Sequence, residues 1–279
     1  MRSQGVEARF VGGQGPFDAL PELIAGRADV ALVDVPTIAR AAERHVDVIG
    51  VFQLYRADPS IVFALARSAI GTPEQLRGRK VGVRSPQIAA VQALRATLGS
   101  AGLDLSAVEL VADRDLRALL GGGRVAAVAG PIHLAAWLKA QGQSVTFLPR
   151  AGWEIVPGPV VATTRAFVAG HPLAVGQLVG ALARALTLVL ADPTGLRDRA
   201  QLELPELASQ PLALRAQVDA MLVSLANVDP DHGPGWADPE RYAAAGHYLR
   251  ELGTTEGTVE LPKLVVNDFL PKPDGSPPR

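Results

Sequence analysis

Ile70 to Arg84 reads IGTPEQLRGRKVGVR, and the fold of the rest of the chain follows from how this stretch is parsed. Ile70-Gly71-Thr72-Pro73 has the composition of a turn. Thr72 is placed to N-cap, and Pro73 stands at the first helical position, where its missing N–H costs nothing. With Glu74 in the first turn, Pro73 to Leu76 is predicted as a single helical turn. Gly78 is a hinge, and Lys80 to Val83 is predicted as a buried strand. Arg84-Ser85-Pro86 then opens a helix expected over Gln87 to Leu98. A strand that runs straight into a helix N-terminus presents unpaired backbone N–H groups beyond the strand's end. Open α/β sheets commonly place ligands there.

Upstream, Gly5 to Val11 alternates enough for a strand, and Gly12-Gly13-Gln14-Gly15 is a loop. Pro16 to Ala25 sets Phe17, Leu20, Leu23 and Ile24 on one helical face. Ala28 to Val33 is the next buried strand, and Asp34-Val35-Pro36 leads into a helix through Arg44. Downstream the same order returns: strand Ala107 to Val111, helix Asp115 to Leu120, Gly123-Arg124, strand Val125 to Val128. Gly5 and Gly102, Gly26 and Gly123, Arg27 and Arg124 are each separated by 97 positions. A repeated strand-helix-Gly-Arg-strand unit implies two related α/β lobes. The second unit has a strand and helix before it and the first does not, so the first lobe is expected to lack a leading strand and helix through truncation.

Val48 to Phe52 and Ile61 to Ala66 read as strands, the second of them crossing between lobes. Val145 to Leu148 is a further strand and Gly158 to Thr163 the return crossing. The expected division is 1–66 for the first lobe, 67–157 for the second, and 158–279 for the return to the first lobe with the C-terminal helices. Those helices are Leu173 to Ala191, Pro211 to Ala226 and Pro239 to Leu252, ahead of a Pro-rich end.

The pattern I-x-T-P-E-Q-L-R-G-R-K-V-G-V from Ile70 resembles the start of the second lobe in solute-binding proteins of ABC importers. The group concerned is the NMT1/THI5-like one, with thiamine-pyrimidine, riboflavin, nitrate and alkanesulfonate binders. Leu20 to Val33 (LPELIAGRADVALV), Val156 to Pro172 (VPGPVVATTRAFVAGHP) and Ala181 to Pro193 (ALARALTLVLADP) fit the same group in order. The resemblance implies an α/β, two-lobed periplasmic-binding-protein type 2 fold, each lobe a mixed sheet flanked by helices, with a helical C-terminal part. It further implies a monomer that closes by hinge motion on a small-molecule solute and presents it to a membrane permease and its ATPase. No cofactor and no catalytic residue belong to that role, and its setting is periplasmic or at the cell surface. A basic, apolar, small-residue signal peptide is not seen at the N-terminus.

The 279 residues suffice for two modest lobes. Hydrophobic content of 48% with 20% charged residues describes a globular protein, and a net charge of −1 gives no electrostatic case for nucleic acid. No apolar run reaches the roughly 18 residues that span a bilayer. With no cysteine, disulfides, thiolate catalysis and Cys-based metal sites are excluded together. The histidines, His45, His133, His171, His232 and His247, are scattered and form no metal-ligand spacing. His171 reads as a helix-start residue, His232 as part of a solvated turn, and Trp137 as core. Gly121-Gly122-Gly123 follows a helix and precedes a strand, the wrong polarity for a phosphate loop, and reads as a helix C-cap.

The candidate ligand contacts lie in loops at the carboxyl ends of strands. On the first lobe they are Gly13 and Gln14, Asp34 and Val35, and Pro59 and Ser60 after Asp58. On the second they are Arg84 and Ser85, Pro131 after Gly130, and Trp153 and Glu154 after Gly152. Trp153 either stacks on a flat heterocycle or plugs the core. Arg84 either pairs a carboxylate, sulfonate or phosphate or meets solvent. Gln53 and Tyr55 are lesser candidates. The solute expected from these loops is a pyrimidine- or flavin-like heterocycle, or a sulfonate.

Two other classes share the scaffold. One is a lyase or dehydratase such as those of menaquinone synthesis; the relatives that make the thiamine pyrimidine need a Cys-rich iron motif, which this sequence lacks. The other is a LysR-type effector domain, which normally follows a DNA-binding helix-turn-helix that the chain does not show.

Overall fold

A computed structural model describes residues 7–12, 16–86, 89–203 and 209–271. The chain divides into two compact units, one of residues 1–58, 155–191 and 225–279, the other of residues 59–154 and 192–224.

The first unit contains α1 (Pro16–Ile24), β1 (Ala31–Val33), α2 (Val35–Glu43) and β2 (Ile49–Gln53). The second supplies β3 (Ser60–Leu65), β4 (Lys80–Val83), α3 (Ala89–Gly99), β5 (Glu109–Ala112), α4 (Leu116–Gly121), β6 (Ala127–Pro131), α5 (Ile132–Ala140) and β7 (Val145–Phe147). The chain re-enters the first unit with β8 (Val160–Thr163), α6 (Arg165–Gly170) and α7 (Pro172–Ala191). It then adds α8 (Pro193–Glu203) and α9 (Pro211–Ala226), and ends with α10 (Pro239–Glu251).

The first unit's sheet runs β1-β8-β2, both outer strands antiparallel to β8. Its core is Val51 and Phe52 from β2 against Val175, Val179, Ala183 and Leu186 of α7. By length and mean hydropathy α7 could span a bilayer, contrary to the sequence expectation that no segment would. It carries Arg184, and the 3- and 4-residue spacing of its buried positions is that of a helix packed on one side.

The second unit's sheet runs β5-β4-β6-β3-β7, with β4 parallel to β5 and β6 and β3 antiparallel to β6 and β7. Both faces are covered, so its strands read as apolar runs. Alternation sorts them: Val62, Ala64, Val81 and Ala127 meet Leu94 and Leu98 of α3 on one face. Phe63, Leu65 and Val128 meet Leu119 of α4 and Leu138 of α5 on the other. The turn before β4 forms as expected. Thr72 is the N-cap of Pro73–Leu76, and the Gln75 side chain accepts from the backbone N–H groups of Gly71 (2.6 Å) and Thr72 (3.0 Å).

Two sheets with flanking helices make the expected α/β class, the second sheet mixed as expected and the first, among the described residues, antiparallel. Three expectations change. Residues 7–12 form no strand, and Phe10 and Val11 are 81% and 74% exposed. β4 lies between β5 and β6, whereas β1 is an edge strand whose free side no strand pairs among the described residues. β3 is not a crossing between lobes but an interior strand of the second sheet, and the chain passes between units at Asp58/Pro59 and Glu154/Ile155. Residues 192–224 belong to the second unit, where the Gln141 amide, just past α5, donates to the Gln210 side chain at 3.2 Å.

Gly235 closes against β2, its carbonyl accepting from the Gln53 N–H at 2.9 Å. Its φ is +96°, and a Cβ there would strike the Phe52 ring and sit 2.6 Å from Leu270 Cδ2. Gly235→Ala is expected to cost about 2–3 kcal/mol through left-handed strain and overpacking, read as a lowered denaturation midpoint with unchanged slope. An unaltered midpoint would show that this approach relaxes freely.

Candidate functional site

In the second unit the carboxyl ends of β4 and β6 and the amino end of β3 lie at one end of the sheet. Arg84 and Ser85 follow β4 directly. Register pairs Ser60 with Pro131, and the Ile132 N–H donates to the Pro59 carbonyl at 3.0 Å. Pro59, Ser60 and Pro131 are therefore neighbours within one sheet, a correction to the assignment of the first two to the first lobe.

α5 begins immediately after Pro131, with Pro131 as an N-cap that offers no side-chain oxygen. Its first turn carries His133, half-buried and close enough to Arg84 to feel its charge. Burial holds the imidazole below its ordinary range, and the Arg84 guanidinium adds to the fall. Arg84 is exposed, and among the described residues its side chain makes no hydrogen bond or ion pair. This end of the sheet thus presents an uncompensated guanidinium and a neutral imidazole beside a helix start that has no side-chain cap, a combination suited to a compact anion. Sequence reading found Arg84, Ser85 and Pro131 and passed over His133. The signal for it was its place, two residues after a strand end.

Trp153 and Glu154 leave from the segment after β7. Glu154 is exposed. Trp153 is 0% exposed, its backbone N–H donating to the Arg150 carbonyl at 2.9 Å. Of the two readings of this ring, its surroundings are those of the core plug, with no face open to a solute.

In the first unit, β1 ends in Asp34, which is 2% exposed and caps α2 by accepting from the Thr37 N–H at 2.8 Å. Burial pushes its carboxyl up, the Thr37 hydrogen bonds oppose this, and Asp58 adds to the rise. Val35 is buried at the start of α2. Gly13 and Gln14 lie outside the described residues. Gln53 is an internal brace: its amide donates to the carbonyls of Tyr55 (2.7 Å) and Gly158 (2.9 Å), and its oxygen accepts from the Tyr242 hydroxyl.

Three other sequence readings find their place. His171 stands immediately before α7, its carbonyl accepting from the Val175 N–H at 3.1 Å, and it also closes α6 and stacks on Phe167. His232 bonds Asp229 at 2.8 Å and stacks on Trp236 in a turn. Gly123, at φ +70°, follows the end of α4.

The family model for NMT1/THI5-like proteins matches residues 2–195. This chain belongs to the NMT1/THI5-like family. Its sequence is 23% identical over 239 residues to the riboflavin-binding protein RibY of Chloroflexus aurantiacus, covering 84% of this chain and 68% of RibY. The alkanesulfonate-binding protein SsuA of Xanthomonas axonopodis pv. citri, bound to MOPS, superposes with a TM-score of 0.74 at 18% identity, covering 92% of this chain and 86% of SsuA. The desulfurization enzyme DSZB in complex with biphenyl-2-sulfinic acid superposes with a TM-score of 0.64 at 16% identity, covering 96% and 90%. The fold of the NMT1/THI5-like chain is accordingly the two-lobed periplasmic-binding-protein type 2 fold.

Proposed function

We propose that this NMT1/THI5-like protein is the solute-binding component of an ABC importer and that its solute carries a compact anionic group, a sulfonate first among them. The observation that carries the reading is Arg84: an unpaired guanidinium beside His133 at the carboxyl ends of β4 and β6. The similarity to SsuA supports the sulfonate. Ser85, Ser60, Pro59 and Pro131 share that end of the sheet and are assigned to the solute's surroundings. Glu154, from the same unit, is assigned there with them. Trp153 supports that segment from beneath. The partners are a membrane permease and its ATPase, and the protein works outside the cytoplasm as a monomer.

Isothermal titration calorimetry with an alkanesulfonate panel, run beside riboflavin and a thiamine pyrimidine, tests this. Arg84→Ala is expected to weaken sulfonate binding about 10-fold or more, the loss of one charge-assisted contact. A bound anion stabilises charged His133, whose pKa in the complex then exceeds that of the free protein. Affinity should therefore rise as pH falls from about 7.5 to about 5.5, and His133→Gln should flatten that rise. Sulfonate affinity that ignores Arg84 would sink the reading.

The second reading is a flavin- or pyrimidine-like solute, favoured by the identity to RibY. It predicts tight riboflavin binding indifferent to Arg84→Ala. An enzyme on the same fold, as DSZB exemplifies, would return an altered sulfonate or sulfinate, which mass spectrometry of the titrant detects.

A further inference from the structure

The second unit has another cationic feature, at the opposite end of its sheet. Arg67 lies in the turn after β3, Arg79 and Lys80 at the amino end of β4, and Arg124 just before β6. All four line one depression of about 510 Å³ whose floor includes Leu65, Leu120 and Val125. No carboxylate is among its lining residues. A chain of net charge −1 thus gathers four positive side chains around one concavity. Lys80 and Arg84 stand at the two ends of β4, roughly 13 Å apart at about 3.3 Å per residue, so this depression is separate from the Arg84–His133 end.

The cations are arranged unequally. Arg67 is fixed in place: its guanidinium donates to the Gly121 carbonyl (2.6 Å) at the end of α4 and to the Gln143 side-chain oxygen (3.1 Å). Those two bonds leave part of its five-donor fork unused. Lys80 meets Glu109 at 3.3 Å and Arg124 meets Asp113 at 4.0 Å; all four partners are solvent-exposed, and such pairs hold their side chains weakly. Arg79 has no side-chain partner among the described residues. The nearby backbone donors are already engaged, the Gly78 N–H with the Ala107 carbonyl and the Ala126 N–H with the Lys80 carbonyl. Recognition in this depression therefore falls to side chains, three of them guanidinium forks, whose planar donors match phosphate oxygens two at a time. The volume lies within the usual range for small-molecule pockets and exceeds what a single phosphate fills.

We infer that this depression is a binding site for a small polyphosphate-bearing anion, independent of the solute site. Charge and reach select the class. Lys80 and Arg124 have only weak, exposed carboxylate partners, and among the described residues Arg67 and Arg79 have none, so a chain of two or three phosphates can engage Arg67 and Arg79 together and draw Arg124 from its surface pairing.

The test is calorimetry of the full chain with inorganic tripolyphosphate at low salt, repeated with the Arg79→Ala/Arg124→Ala double variant and with Arg84→Ala. Both pocket positions are exposed, so the double variant should melt like the parent. The expected result is one site on the parent, weakened at least 10-fold in the double variant and unchanged in Arg84→Ala, with affinity falling steeply as salt is raised. No heat of binding, or affinity indifferent to the double substitution, would overturn the inference. Loss of tripolyphosphate binding in Arg84→Ala would also overturn it, by placing the anion at the solute end. If an acidic glutamate peptide displaced tripolyphosphate at lower concentration, the depression would be a protein-docking surface and the inference would fall. Sulfonate binding is read separately in the same variants, so each site fails or stands without the other.

Discussion

Phe63→Ala is expected to destabilise the second unit by about 4 kcal/mol, the usual scale for emptying a phenylalanine from a packed interior. Phe63 has no exposed surface. It sits on β3, opposite Val128 on β6 and Phe147 on β7, so strands on both sides depend on its register. Its ring meets Phe147 edge-on, with centroids 6.4 Å apart and planes at 70°, a geometry worth about 0.5–1.5 kcal/mol beyond area burial. Leu119 and Leu138 close over it from α4 and α5. Neither helix can follow the retreating side chain without leaving the other, so the void should persist and the cavity term add to the lost transfer energy. A fall of roughly 8–16 °C in the melting temperature of this unit would follow, measured by differential scanning calorimetry. Phe147→Ala, at the half-exposed end of the pair, should cost about 1 kcal/mol. A similar loss from both substitutions would mean that the ring pair matters and the Phe63 cavity does not.

That core was only half visible in the sequence. β4 was legible to the residue, Lys80–Val83, because turn chemistry brackets it on one side and a helix start on the other. α9 was equally plain, since Pro211 opens it and apolar residues recur through it to Ala226. β3 was read as a strand within a residue of its bounds but given the wrong role, because pairing with β6 and β7 depends on partners far along the chain that no local pattern names. The same limit hid the site. His133 matters for its nearness to Arg84, a contact made by the side-by-side registry of β4 and β6. Trp153 in a loop after Gly152 reads equally as a stacking ring or a core plug, and only packing decides for the plug. The cationic depression was invisible for the same reason: its four side chains come from three separate stretches of sequence.

Gln53 shows how a residue can pass for a ligand contact while serving the fold, and its replacement is the second large effect expected. It is 5% exposed at the end of β2. Its amide donates to the Tyr55 and Gly158 carbonyls, and its oxygen accepts from the hydroxyl of Tyr242, whose phenol burial pushes well above its ordinary range. Removing that hub does not strand every partner. The Tyr55 carbonyl still accepts from the Gly158 N–H at 3.0 Å, but the Gly158 carbonyl and the Tyr242 hydroxyl lose their bonds to Gln53. Gln53→Leu keeps most of the volume and leaves two buried polar groups unmet, at about 1–3 kcal/mol each, so a loss of about 3 kcal/mol is expected. Tyr242→Phe strands only the Gln53 oxygen and should cost about 1.5 kcal/mol. The double variant removes both ends of that bond, and its loss should stay near that of Gln53→Leu alone rather than reach the sum. Denaturant unfolding of the four proteins measures the coupling. Strict additivity would show that the Tyr242 hydroxyl and the Gln53 oxygen are independent, and that the brace holding β2 to the Gly158 segment runs through the amide alone.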